Sequence, residues 1–141
     1  MISLNRAHLQ EIISHAKEAH PKEACGILAG EGSASPLEGS ALPLRVEKVY
    51  RVKNIDDSET TYLMDSREQF RILKEMEREG LRMVGIYHSH PASPPYPSPR
   101  DIALAFYPDT AYIIIGPGEE PEVNAFRIEE GAVKRIELRI L

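Results

Sequence analysis

The sequence predicts an α/β fold, a mixed β-sheet flanked by helices, in a single domain spanning residues 1–141. Three observations predict it. Helical and extended patterns alternate along the chain. Two apolar runs, 83–88 and 111–115, are nearly continuous, as in central strands covered on both faces. The C-terminal stretch alternates like an antiparallel hairpin, so parallel and antiparallel neighbours are both expected.

At 141 residues the chain can bury about 68–70% of its unfolded surface without staples. Hydrophobic residues at 42% and charged residues at 28% are the balance of a soluble globular protein. A net charge of −5 argues against a broad footprint for nucleic acid or anionic lipid, and neither is expected as a partner. The single cysteine, Cys25, excludes an intrachain disulfide and fits a reducing cytosol. The first residues turn polar too soon for a secretory signal, and no apolar run approaches the roughly 18 residues of a membrane span. The expected location is cytoplasmic.

Leu9, Ile12, Ile13 and Ala16 fall at helical spacing and predict an amphipathic helix over 6–19, ended with help from Pro21. Its histidines, His8, His15 and His20, are not spaced i, i+4. His8 and His15 would lie about 10 Å apart, so solvent-facing roles are expected. Residues 24–30 form a short apolar run between glycines and charges, which predicts a buried strand with Glu23 at its entrance. A Gly/Ser/Ala/Pro-rich stretch over 31–40 reads as a loop.

Residues 42–52 alternate and predict a strand with a bulge. A polar loop over 54–60 and a short strand at 61–64 follow. Asp65 with Glu68 opens a helix to about Glu79, stopped by Gly80. After the central strand 83–88 comes a proline-rich loop, then Ser98 as N-cap and Pro99 at the first helical position of a helix to about Phe106. The strand 111–115 and a hairpin of 123–128 with 132–140 complete the order. Its Ile-bearing edges are candidates for pairing between subunits, as in a homodimer.

His88-Ser89-His90 ends a central strand, where successive side chains alternate faces, so both imidazoles point to one side and can reach one ion. The carboxyl end of such a strand is where α/β sheets place their ligand crevices. Asp101, in the first turn of the next helix, aims its carboxylate back towards the strand end and supplies a third ligand. Imidazole and carboxylate suit Zn²⁺, and three protein ligands leave one tetrahedral position open, the arrangement of a catalytic zinc. Singly, each piece has an ordinary explanation. His-x-His is often two unrelated histidines, and Ser98-x-x-Asp101 is by itself a capping box. Their conjunction carries the metal reading. Cys25 has the sequence context of a small buried hydrophobe, and Tyr87 and Tyr96 suit either a groove or ordinary packing.

Taken with Glu23 upstream, the pattern His88-Ser89-His90-Pro91…Ser98-x-x-Asp101 resembles that of the JAMM or MPN-plus metallopeptidases. Glu23-Ala24-Cys25-Gly26-Ile27-Leu28-Ala29-Gly30 is similar to the family's Glu-x-x-Gly-Leu-Leu-x-Gly segment, and Ile113-Ile114-Ile115-Gly116 is like its later strand. The resemblance implies a cytidine-deaminase-like JAB/MPN fold. It also implies His88, His90 and Asp101 as zinc ligands, Glu23 as general acid/base and Ser98 as hydrogen-bond donor to the tetrahedral intermediate.

The activity implied is hydrolysis of the amide after the C-terminal Gly-Gly of a ubiquitin-like or sulfur-carrier protein, releasing an amino acid or a lysine-linked target. The rival within the same fold is a non-catalytic interaction scaffold, which typically loses ligands that this chain keeps. Zinc nucleobase deamination needs Pro-Cys-x-x-Cys, which one cysteine cannot supply. The His-Glu-x-x-His helix of other metalloproteases is absent. A DNA-repair-associated branch with a similar His-x-His…Asp pattern fits the acidic charge poorly.

Overall fold

The structure, a computed structural model, describes residues 1–33 and 42–141. In chain order its elements are β1 (Ile2–Leu4), α1 (Arg6–Ala19), β2 (Cys25–Ser33), β3 (Leu42–Val52), α2 (Ser66–Arg78), β4 (Arg82–Ser89), α3 (Pro99–Ala103), β5 (Ala111–Ile115), β6 (Val123–Glu129), β7 (Ala132–Ile136) and β8 (Leu138–Ile140). The strands form one sheet in the order β7-β6-β5-β4-β2-β3-β1-β8. β4 lies between antiparallel β2 and parallel β5, so the predicted mixed α/β sheet is what forms.

Alternation along the central strands divides the core. Ile113 and Ile115 join Leu28 and Tyr87 on the side covered by α1, whose Ile12 is fully buried. Ile114 joins Ile27 and Ile86 on the side covered by Ile72 and Met76 of α2. Burying a side chain such as Ile12 stabilises by about 1.5–3 kcal/mol. α1 has the predicted bounds and is capped by Asn5, whose Oδ1 accepts the His8 N–H at 2.7 Å. The bulge expected in β3 is present. Ala29 pairs with Lys48 but Gly30 with Val46, leaving Glu47 as the extra residue.

Four expectations change. β2 runs on to Ser33, because Glu31 and Ser33 continue the ladder against Arg45 and Leu42. The remainder of the loop predicted over 31–40 lies outside the described residues. Residues 61–64 make no strand, only one bridge between Met64 and Asn54. There the Asn54 side chain takes the backbone groups a strand partner would use, donating to Thr61 O and accepting from Leu63 N.

α3 stops at Ala103 rather than Phe106. Pro108 disfavours helical backbone at Tyr107, whose N–H is taken by the Tyr112 hydroxyl. Finally, the strand predicted over 132–140 divides at Glu137. β7 pairs with β6, but β8 pairs in parallel with β1 at the opposite end of the sheet order. With one residue between them, the two ends of the sheet must meet, and the sheet therefore curls around α1. The Ile2 N–H donates to Glu137 O at the seam, at 3.0 Å.

Candidate metal centre

β4 extends its ladder one residue past its assigned end, since the His90 N–H donates to Ile115 O at 2.8 Å before Pro91 interrupts pairing. This holds His88 and His90 in extended backbone, on one face and almost fully buried. The N-cap of α3 aims Asp101 at them. Ser98 Oγ accepts the Asp101 N–H at 3.1 Å, and Asp101 Oδ2 accepts the Ser98 N–H at 2.9 Å, a complete capping box. Asp101 therefore belongs both to the capping box and to the candidate metal-binding set.

His88 Nε2 and His90 Nε2 lie 3.0 Å apart, and each is 3.1 Å from Asp101 Oδ2. Three lone-pair atoms converging on one point is a donor set that a cation satisfies better than shared protons do. The set could hold a metal ion, with the two-imidazole, one-carboxylate chemistry suited to zinc. His90 Nδ1 lies 2.8 Å from Pro94 O, and an N–H donated there leaves Nε2 free as a ligand atom. His88 has no such partner. Its Nδ1 is buried and unpaired, and its ring instead stacks on Tyr62 with centroids 4.5 Å apart and planes at 27°.

Electrostatics agree with this arrangement. Burial lowers the His88 pKa, while at His90 the bonds to Asp101 and Pro94 O outweigh burial and raise it. Burial would raise the Asp101 carboxyl, but the bonds from His88 and His90 hold it far below the usual carboxylate range.

Glu23 is also buried, with Oε1 lacking any hydrogen-bond partner. Desolvation pushes its pKa up to about 7, opposed by His90 and reinforced by Asp101, whose charges it feels. Its backbone is pinned on both sides: its N–H donates to Ser58 O at 2.9 Å and its carbonyl accepts from Asn54 Nδ2 at 3.1 Å. The next residue is pinned as well, with the Ala24 N–H donating to Ser89 Oγ at 2.8 Å and the Ser89 N–H to Ala24 O at 3.0 Å. All five predicted site residues, Glu23, His88, His90, Ser98 and Asp101, thus gather at one end of β4.

A cleft of about 250 Å³ adjoins the trio through Asp101 and is lined also by Arg100, Tyr62, Leu63, Leu104, Phe106 and Tyr107. The sequence offered one signal for it, the apolar Leu104, Phe106 and Tyr107 in a stretch that packs against nothing predicted. Tyr87 and Tyr96 take no part in it. Tyr87 is fully buried with its hydroxyl 2.7 Å from His15 Nδ1, and Tyr96 sets its ring edge-on to Phe126. His15 is therefore not solvent-facing as expected, because Tyr87 reaches it from the sheet. Cys25 is buried beside Val52, as the sequence suggested.

Comparison with known proteins decides the family. The family model described as prokaryotic homologs of the JAB domain matches residues 5–129. The chain belongs to that family. A "CysO-cysteine peptidase" of Mycobacterium tuberculosis is 39% identical over 124 residues, 86% of this chain and 79% of that protein. A "Probable TtuB-protein conjugate cleaving protease" of Thermus thermophilus is 38% identical over 127 residues, 89% of this chain and 75% of that protein. A Desulfitobacterium hafniense protein solved in solution is 36% identical with a TM-score of 0.86, covering 100% of this chain and 93% of that one. This JAB-family chain is accordingly an enzyme, a hydrolase of the JAMM peptidase type. Among the described residues no helix is long and apolar enough to cross a membrane.

Proposed function

We propose that residues 1–141 act as one cytoplasmic domain, a zinc-dependent peptidase or isopeptidase. It cuts the amide after the C-terminal Gly-Gly of a ubiquitin-like or sulfur-carrier protein. The convergence of His88 Nε2, His90 Nε2 and Asp101 Oδ2 beside the unpartnered Glu23 Oε1 carries this reading. The named relatives support the substrate class. Their names differ in what stands beyond the carrier, cysteine in one and a protein in the other.

His88, His90 and Asp101 would hold the metal. When bound, zinc supplies Lewis acidity that brings the pKa of a water towards about 7 and polarises a carbonyl. Glu23 has the environment of a proton carrier, since a carboxyl with a pKa pushed up to about 7 both accepts and returns a proton near neutrality. It takes the proton of the attacking water and delivers it to the departing amine. The hydroxyl first joins the carbonyl carbon, whose oxygen takes up the electron pair as an oxyanion; collapse of that oxyanion then breaks the C–N bond as the protonated amine leaves. Ser98 Oγ, an acceptor in the capping box, keeps its own proton to donate to the developing oxyanion. The buried walls around His88 and His90 exclude bulk water, which strengthens each of these interactions.

Incubating the purified protein with a ubiquitin-like protein extended beyond Gly-Gly tests the reading. Cleavage is expected to stop on chelation, return with zinc, and fall by about 10²–10⁴ in kcat for Glu23→Gln with zinc retained. Cleavage that survives both chelation and Glu23→Gln would falsify it.

A further inference from the structure

The leaving group is the open part of that proposal, and the cleft holds one residue suited to choosing it. Among the described residues that line the cleft, Arg100 is the one cation. It precedes Asp101 in the first turn of α3, and among the described residues its half-exposed guanidinium makes one polar contact, 3.3 Å from Asp56 Oδ2. That carboxylate oxygen also accepts from Thr61 Oγ1 at 3.0 Å, so Asp56 does not depend on Arg100 for a partner. Asp56 stands two residues before Ser58, whose carbonyl receives the Glu23 N–H. Arg100 is therefore next to Asp101 in the chain and reaches the same 56–58 segment that holds the Glu23 backbone. Lys22, the other cation close to Glu23, is held by Asp57 at 2.7 Å and does not line the cleft.

The departing nitrogen must come to Glu23 to collect its proton. In a single amino acid, a free carboxylate hangs two bonds from that nitrogen. In a lysine-linked conjugate the nitrogen ends a run of methylenes, and no anion accompanies it. A planar guanidinium grips a carboxylate through two parallel N–H donors, which its present single contact with Asp56 leaves unused. Exchange is easy because a half-exposed ion pair contributes little.

We propose that Arg100 reads the free α-carboxylate of an amino-acid leaving group, exchanging Asp56 for it. This makes a carrier–amino acid amide the preferred substrate over a lysine-linked conjugate. The inference rests on the peptidase reading above.

The test uses the zinc-loaded full chain and a ubiquitin-like protein ending in Gly-Gly-Ala, prepared as the free acid and as the C-terminal carboxamide. The wild type is expected to favour the acid by about tenfold or more in kcat/KM, consistent with one charge-assisted contact. Arg100→Gln should erase that preference by raising KM for the acid alone, and Arg100→Lys should restore part of it. Unchanged cleavage of the carboxamide by Arg100→Gln shows that the variant is folded and its centre intact. Equal wild-type rates on acid and carboxamide, or equal slowing of both by Arg100→Gln, overturn the role of Arg100 while leaving the peptidase reading standing. Failure of the wild type to cleave either one overturns the peptidase reading, and this inference with it.

Discussion

The two faces of β4 do different work with adjacent residues. On one face His88 and His90 point three lone-pair atoms, with Asp101, at a single spot, and Glu23 stands buried and unpartnered beside them. On the other, Tyr87 and Ser89 are satisfied: Tyr87 hydrogen-bonds His15, and Ser89 clamps Ala24 at both N–H and carbonyl. The first face carries unpaired polar atoms that cost stability, and the second supplies the bonds that hold them in place. Under the proposed function this follows, since a site that binds an ion and moves a proton cannot also satisfy itself. The period-2 alternation of a strand lets one segment separate the two tasks.

If that division holds, the largest effect is on the site face and has an unusual sign. In the metal-free protein the Glu23 carboxyl, raised from 4.5 to about 7, keeps its proton between those values while the unfolded chain releases it. Stability therefore falls as pH rises through that window, by up to about 3 kcal/mol, and levels off above it. Glu23→Gln should remove this slope and exceed the wild type in stability at pH 8. Denaturant titrations of both proteins at pH 5 and pH 8 check it, with the difference between them isolating Glu23 from the histidines. Parallel slopes would contradict it.

Next in size is Tyr62, which backs the His88 ring by stacking where His90 has a carbonyl. Replacing Tyr62 with Ala should weaken zinc binding by about 10–100-fold, as loss of an orienting neighbour does, with Phe restoring it. Competition against a zinc indicator reads this directly. A Phe variant as weak as Ala would show that the hydroxyl, not the ring, matters.

The support face should respond in stability. Ser89→Ala leaves the Ala24 N–H buried without an acceptor and should destabilise by about 1–3 kcal/mol, lowering kcat as the residue next to Glu23 loses one of its two bonds to Ser89. Tyr87→Phe, farther from Glu23, should cost about 1 kcal/mol or less and leave kcat unchanged. Equal effects of the two on kcat would erase the distinction between them.

How far these roles could be read from the sequence follows the same geometry. His88, His90 and Asp101 were legible because strand alternation and the first helical turn are local, and both aim side chains predictably. Glu23 and Ser98 took their roles from family resemblance, since nothing near Glu23 in the chain reveals what surrounds it. Ser89 was seen only as pointing away. Its bond to Ala24 exists because β2 and β4 are neighbours in a particular register, with Cys25 opposite His88. Gly26 belongs to the same register: a Cβ there would lie 2.2 Å from the Tyr87 ring. The Asn54 staple and the Tyr62 stack were hidden because a polar loop has no periodicity to read.

By itself, then, the sequence determined β4, the start of α3, the α/β class and the convergence of His88, His90 and Asp101, all products of interactions within a few residues. Tertiary structure decided the rest: the split at Glu137 that joins the two ends of the sheet around α1, the burial that raises Glu23, and the placing of Tyr62 and Arg100 beside the ligands. Each depends on groups brought together from distant parts of the chain. Burial and register are properties of the packed sheet, which no local pattern encodes.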